Sequence, residues 1–343
     1  MRMSTLRWTV LVIAFIVLTY GGLVGISLGD FLPTFACWYV GESRGGDCFL
    51  WHVQHHFSGH GGPGYLVRPN APMLLYFFLL LLVLGKAWCG WICPLGFIMD
   101  VLDLARRRLN MGYLFFSQRL RARLAPIKWV LLFLSLVVPL SCFPFFMRSQ
   151  IASDLSQPYC QWCPAKYVVP LCVGNVEEIA VNFRSGVGIF MTAVGLVVAG
   201  LFLIGALTKR RFWCSFCPMG LVIGLCRKIS IVKLKKNCQA CTRCGICYNV
   251  CPLDIEEIFT ERTRTNVTYQ DCILCMKCIE NCPEEGVLSA TFCGRTIYRA
   301  TQKGFFSNPV ASGRRARQEP AVGAADTISA DEGEPVLSGS RPS

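Results

Sequence analysis

Eight cysteines in the last third of the chain fall into two runs of one spacing. Cys241, Cys244, Cys247 and Cys251 precede Pro252, and Cys272, Cys275, Cys278 and Cys282 precede Pro283. Gaps of two, two and three residues with a following proline suit a two-cluster arrangement, in which three thiolates wrap one iron–sulfur cube and the fourth ligates the other. One [4Fe–4S] cluster is therefore expected on Cys241, Cys244, Cys247 and Cys282, and a second on Cys272, Cys275, Cys278 and Cys251. Structural zinc competes for any CxxC pair, but two complete copies ending in Cys-Pro argue for cubes. Cys238 reads as a plain thiol, and Cys226 and Cys293 as small packed side chains.

Four further cysteines sit in a repeated motif. Trp88-Cys89-Gly90-Trp91-Ile92-Cys93-Pro94-Leu95-Gly96-Phe97 is echoed by Trp213-Cys214-Ser215-Phe216-Cys217-Pro218-Met219-Gly220-Leu221. Four thiolates brought together by such a repeat would hold a third cluster, act as redox dithiols, or simply pack. A remaining group, Cys37, Cys48, Cys142, Cys160, Cys163 and Cys172, is expected on the far side of the membrane. In an oxidising compartment disulfides are the plain expectation, with thiol redox chemistry at Cys160 and Cys163 the sharper one. All four histidines, His52, His55, His56 and His60, crowd one outer segment. They read either as a metal, haem or quinone contact or as a solvated loop.

These groups need a scaffold, and composition points to a bilayer. Of 343 residues 53% are hydrophobic and 16% charged, with mean hydropathy +0.45, against about 25% charged in soluble domains. Four apolar runs approach the roughly 20 residues of a spanning helix: about 8–28, 72–88, 129–146 and 187–207. The first is too long for a signal-peptide core and lacks a small-residue cleavage site. Lys86 is expected to snorkel to the interface. Lysine and arginine concentrate between spans two and three and after span four, which places both termini in the cytoplasm and accounts for most of the net charge of +13 without nucleic acid. The membrane part divides into two parallel two-helix halves, each ending in its Cys-Pro motif. The stretches 97–109 and 221–232 are expected as helices lying at the cytoplasmic interface.

The two ferredoxin runs and the motifs Trp88–Phe97 and Trp213–Leu221 together resemble the membrane ferredoxin family of NapH, MauN and the carboxy-terminal half of NosR, over residues 1–293. The resemblance implies electron transfer between the quinone pool and a respiratory or maturation partner. Copper-handling relatives look similar. Two departures stand out: the second motif is Cys-x2-Cys-Pro where the family has Cys-x3-Cys-Pro, and the His-rich loop is not a family motif.

The expected protein is a multi-pass α-helical protein of the bacterial inner membrane. A four-helix membrane domain over 1–236 carries a small α+β ferredoxin-like domain over 237–293 on the cytoplasmic side, followed by a disordered tail over 305–343. The expected activity is quinol-linked electron relay through two [4Fe–4S] clusters, in contact with lipid, quinone and a partner redox subunit. The alternatives are a copper or other metal reductase or oxidase-assembly factor, and a non-catalytic anchor of a larger oxidoreductase. Those readings part on whether quinol reduces the clusters.

Overall fold

The structure is a computed structural model that describes residues 2–26, 28, 33–34, 36–57, 70–141, 155, 157–177 and 185–306. Ten helices over residues 3–225 matter to the site. They are α1 (Met3–Tyr20), α2 (Phe49–Phe57), α3 (Asn70–Leu84), α4 (Ala87–Trp91), α5 (Pro94–Arg108), α6 (Gln118–Ser141), α7 (Pro158–Trp162), α8 (Pro164–Val168), α9 (Gly186–Thr208) and α10 (Pro218–Leu225). Among the described residues, three helical stretches are long and apolar enough to cross a membrane: Met3–Val24, Gln118–Ser141 and Gly186–Thr208.

The fourth expected span differs. Helix α3 has 15 residues, nearly all apolar, about 22 Å at 1.5 Å per residue, against a hydrocarbon core of about 30 Å. It stops at Gly85, whose φ of +50° is left-handed backbone that favours glycine. The expected run 72–88 is therefore broken at Gly85-Lys86 and resumes as α4. Lys86 does not snorkel: it is buried and faces Asp271 at 3.8 Å. The third span begins earlier than expected. Helix α6 includes the basic stem Arg119–Lys128, because Arg121 pairs with Glu257 at 2.8 Å and Lys128 with Asp271 at 2.6 Å.

The two Cys-Pro motifs have one local cause. Cys93 and Cys217 each cap a helix in extended conformation, with the proline at the first helical turn, where its missing N–H costs nothing. Helix α5 is not a free interfacial helix. It packs against α1 and α9 and buries Met99, Asp100 and Asp103. The second expected interfacial helix ends at Leu225, and from Val232 the chain is a strand.

That strand, β1 (Val232–Lys236), pairs antiparallel with β2 (Leu288–Phe292), which pairs antiparallel with β3 (Arg295–Arg299). Strands β2 and β3 are joined through Cys293-Gly294, both with positive φ, as a two-residue hairpin requires. Cys293 is thus an exposed turn residue, not the packed side chain expected of it. Between β1 and β2 lie the two cysteine runs, around a core that includes Leu234, Ile255, Ile258, Val267, Ile273 and Ile279. A short helix, Gln302–Phe306, closes the described chain. Residues 307–343 of the expected disordered tail lie outside the described residues.

Candidate iron–sulfur site

Each cysteine run turns the same way. The second and fourth residues after its first cysteine have positive φ: Arg243 (+57°) and Gly245 (+72°) in one, Leu274 (+49°) and Met276 (+60°) in the other. Three of these four are not glycine, so the surrounding fold holds them there against a cost of about 1–2 kcal/mol each. Turns of this kind aim successive backbone N–H groups into a concavity that suits an anion.

Two cavities result. One is lined by Cys272, Cys275, Cys278 and Cys251 with Leu234 and Ile258. The other is lined by Cys241, Cys244, Cys247 and Cys282 with Phe259 and Val287. Ile258 lines both, so the two cavities adjoin. Among the described residues no three His, Cys, Asp or Glu side chains converge as ligands of a single ion. Each set of four thiols instead surrounds a hollow, which is the donor set and spacing that an iron–sulfur cube needs. The amide of Ile255 donates to Cys251 Sγ at 3.5 Å. Burial pushes the Cys247 and Cys272 thiols up to about 12 and those of Cys251 and Cys282 up to about 11. Without a cation these groups stay protonated, so loading them with iron must release protons.

The membrane-edge cysteines are brought together as well. Cys89 lies within electrostatic reach of Cys93, Cys214 and Cys217, and Cys93 within reach of Cys214 and Cys217. Arg211 stands beside Cys93 and Cys214, fully buried, with its Nη1 donating to the Cys89 carbonyl at 3.0 Å. Its Nε donates to Asp100 Oδ1 at 2.9 Å, and Asp100 also receives Arg7 at 2.5 Å. One carboxylate between two guanidinium groups leaves a net positive charge beside the thiols; burial raises Cys93 and Cys214, and Arg211 works against that rise. Gly96 of the first motif makes room for this: a Cβ there would stand 2.0 Å from Arg211 Nη1.

The ferredoxin unit is docked onto this edge. Trp91 Nε1 donates to the Leu274 carbonyl at 2.9 Å, and Arg210 donates to the Asn249 carbonyl at 3.0 Å. Lys209, at the end of α9, forms a fully buried ion pair with Asp254. Asp254 also accepts from Tyr113 Oη at 2.8 Å and from the Phe116 amide at 3.3 Å. Basic residues read from sequence as topology signals thus include the docking contacts. Nothing in their local spacing marks their distant acidic partners.

The outer groups depart most from expectation. Cys48, Cys160, Cys163 and Cys172 form no disulfide. Helices α7 and α8 re-enter the bundle, since a Cβ on Gly195, well inside α9, would stand 2.4 Å from the Gln161 carbonyl and 2.0 Å from Tyr167 Oη. His52 meets Asp47 at 3.1 Å, and His55 stacks on Trp51 with ring centroids 4.8 Å apart. The His56 side chain, His60 and Cys142 lie outside what the structure describes. Between α6, α7 and α9 lies an apolar groove of about 320 Å³, lined by Leu131, Tyr159, Trp162, Val198, Trp213 and Phe216 among others. The indole N–H of Trp162 is buried and has no hydrogen-bond partner among the described residues, and that of Trp213 faces the Tyr159 hydroxyl.

Comparison with known proteins bears on these sites. A family described as "4Fe-4S binding domain" matches residues 72–112 and 191–237, which contain the two membrane-edge motifs. A family described as "4Fe-4S dicluster domain" matches residues 233–283. The chain is 29% identical over 241 residues to the methylamine utilization ferredoxin-type protein MauN of Methylorubrum extorquens, covering 68% of this chain and 71% of MauN. It is 26% identical over 205 residues to the ferredoxin-type protein NapH of Escherichia coli, covering 58% and 60%. It spans 54% of the length of YccM of Escherichia coli, at 25% identity over 224 residues. No solved structure matches. Two 4Fe–4S family matches, relatives named as ferredoxin-type proteins and three helices fit to cross a membrane support a likeness of this chain to the NapH/MauN-type membrane ferredoxins.

Proposed function

We propose that this protein carries electrons between a membrane quinone and a redox partner through iron–sulfur clusters. The two cubes are held by Cys241, Cys244, Cys247 and Cys282, and by Cys272, Cys275, Cys278 and Cys251. A third cluster sits on Cys89, Cys93, Cys214 and Cys217, where the 4Fe–4S binding family matches and where Arg211 offsets thiolate charge. When bound, the clusters supply one-electron chemistry. The chain's own residues position them, exclude water and tune their potentials through N–H···S contacts.

The apolar groove carries the quinone reading. Trp213 and Phe216 alternate with Cys214 and Cys217 along the chain, so the groove wall is shared with the membrane-edge thiols. A buried indole donor without a partner, that of Trp162, is a cost that an oxygen acceptor would relieve. A quinone offers two carbonyl oxygens on an apolar ring. Oxidation of a quinol releases two electrons and two protons, and single-electron carriers take the electrons one after the other.

At the other end, Cys244 is exposed beside Thr242 and Arg243, so the cube it ligates opens to solvent on the face away from the docked edge. That is where a partner redox subunit would exchange electrons. The excess of basic residues between α3 and α6 supports a cytoplasmic location for the ferredoxin unit and both termini, in a bacterial inner membrane.

The test uses anaerobically purified full-length protein in detergent and a short-chain quinol. The clusters become reduced, and Leu131→Trp, which fills the groove without touching a cysteine, slows the reduction at least about tenfold at unchanged iron content. Reduction by dithionite but not by quinol, or an unaffected Leu131→Trp variant, contradicts the quinone reading.

A further inference from the structure

Cys37, Cys48, Cys160 and Cys163 form a second cysteine quartet inside the bundle. Cys160 lies within electrostatic reach of Cys48, Cys163 and Cys37, and Cys163 within reach of Cys37, Cys48 and Cys217. Cys48 in turn reaches Cys217 of the membrane-edge set. Cys48, Cys89, Cys163 and Cys217 pack on one apolar cluster with Phe49, Phe77 and Tyr159. The quartet therefore stands next to the edge site, on its side away from the ferredoxin unit.

Three observations separate these thiols from small packing residues. First, Cys160-Gln-Trp-Cys163-Pro164 repeats the pattern Cys214-Ser-Phe-Cys217-Pro218. The backbone repeats too: Cys163 caps its helix at φ −74° and ψ 124°, Cys217 at φ −65° and ψ 118°, each followed by proline in the first turn. Second, each half of the membrane domain supplies two cysteines, as each half does for the edge set. Third, Gln54, with no exposed surface, is committed to the site. Its Nε2 donates to Cys160 Sγ at 3.3 Å and its Oε1 accepts from the Tyr159 amide at 3.1 Å. A buried amide aimed at a thiol is the kind of contact that tunes a thiolate-bound metal centre. As with the ferredoxin cavities, no three of these side chains converge on a single-ion geometry, which a cluster with its own bridging sulfides accommodates.

We infer that Cys37, Cys48, Cys160 and Cys163 ligate an iron–sulfur cluster within the membrane domain. The row of sites then runs from the exposed ferredoxin face through the membrane edge to the level of Gly195 in α9. In a chain whose spanning segments contain no histidine, and so no bis-imidazole haem site, this gives electrons a route deeper into the bundle.

The experiment compares non-haem iron, acid-labile sulfide and EPR spectra in wild-type full-length protein, in Cys160→Ser/Cys163→Ser and in Cys172→Ser, a cysteine outside the quartet. All are purified anaerobically. The quartet variant loses about two to four irons per chain and the matching sulfide, with the two ferredoxin signals intact, while Cys172→Ser loses none. Against misfolding, native wild-type protein is treated with iodoacetamide before and after iron release. Labelling of Cys48, Cys160 and Cys163 rises at least about tenfold on release. Unchanged iron in the quartet variant, labelling of these thiols in the iron-loaded protein, or bound zinc or copper in place of iron overturns the assignment. The proposal extends the electron-carrier reading but fails separately from it, since the ferredoxin signals report on that reading alone.

Discussion

The indole N–H of Trp91 reaches across 2.9 Å to the carbonyl of Leu274, joining the membrane-edge motif to the loop around the second ferredoxin cavity. Next to it, a Cβ on Gly90 would stand 2.2 Å from the Ile273 carbonyl. Cys89 and Cys275 pack on the same core from the two sides of this junction. The contact sets the approach of the edge thiols to the ferredoxin unit, and on the proposed function it governs the ease of electron passage. Trp91→Phe removes one hydrogen bond, worth about 1 kcal/mol. Gly90→Ala must displace backbone. Stopped-flow reduction of the ferredoxin clusters by quinol is expected to slow more in Gly90→Ala than in Trp91→Phe, with iron content unchanged in both. Equal rates in all three proteins would remove this junction from the electron path.

The Lys209–Asp254 pair is fully buried. Removing one partner of such a pair strands the other charge, at about 3–5 kcal/mol, whereas replacing both with apolar groups is often neutral. Asp254→Asn keeps a residue that tolerates the left-handed φ of +52°, so it isolates the charge. It is expected to loosen the docking of the ferredoxin unit, read as faster hydrogen exchange in residues 246–260. Adding Lys209→Met should restore much of the protection.

Arg243 is exposed and left-handed at +57°. Arg243→Ile places a β-branched residue in a conformation it resists, while Arg243→Gly accepts it. Thermal release of iron should come earlier in the isoleucine variant, by the equivalent of about 1 kcal/mol or more, and no earlier in the glycine variant. Identical release curves would show that the turn adapts freely.

Glu261 gathers the turn before the second cysteine run. Its Oε1 accepts from the amides of Thr263 at 3.1 Å and Arg264 at 3.2 Å, and its Oε2 from Tyr269 Oη at 2.8 Å. These bonds, the Thr263 amide foremost, bring its carboxyl down to about 2 from the usual 4.5. A folded value below the unfolded one means the contribution is complete above about 4.5 and fades as pH falls toward about 2. Glu261→Gln should flatten the pH dependence of the turn's hydrogen exchange within that window and leave it unchanged above it. An equal slope in both proteins would assign the acid sensitivity to other groups.

The two ferredoxin runs were legible in sequence because a cube dictates local spacing, and local spacing is what a chain displays. The edge set was legible because it is repeated. The docking role of Lys209 and Arg121 was not, since their acidic partners lie beyond the second motif and basic residues at span ends already have a topological explanation. The re-entry of α7 and α8 was hidden for another reason. Helices of five residues carry no usable periodicity. Gly195, which makes their approach feasible, looks like any glycine in an apolar helix until the Gln161 carbonyl is seen against it. The break at Gly85 was masked by the apolar residues on either side of it.

The central claim is that eight thiols at residues 241–251 and 272–282 hold two four-iron cubes with their fourth ligands exchanged. Iron and sulfide analysis with EPR, on anaerobic wild-type protein and on Cys251→Ser, tests it most directly. At least about eight irons per chain are expected, and Cys251→Ser should disturb the same signal that Cys272→Ser disturbs while sparing the one that depends on Cys241. Zinc in place of iron, or a Cys251→Ser effect confined to the Cys241 signal, would contradict it.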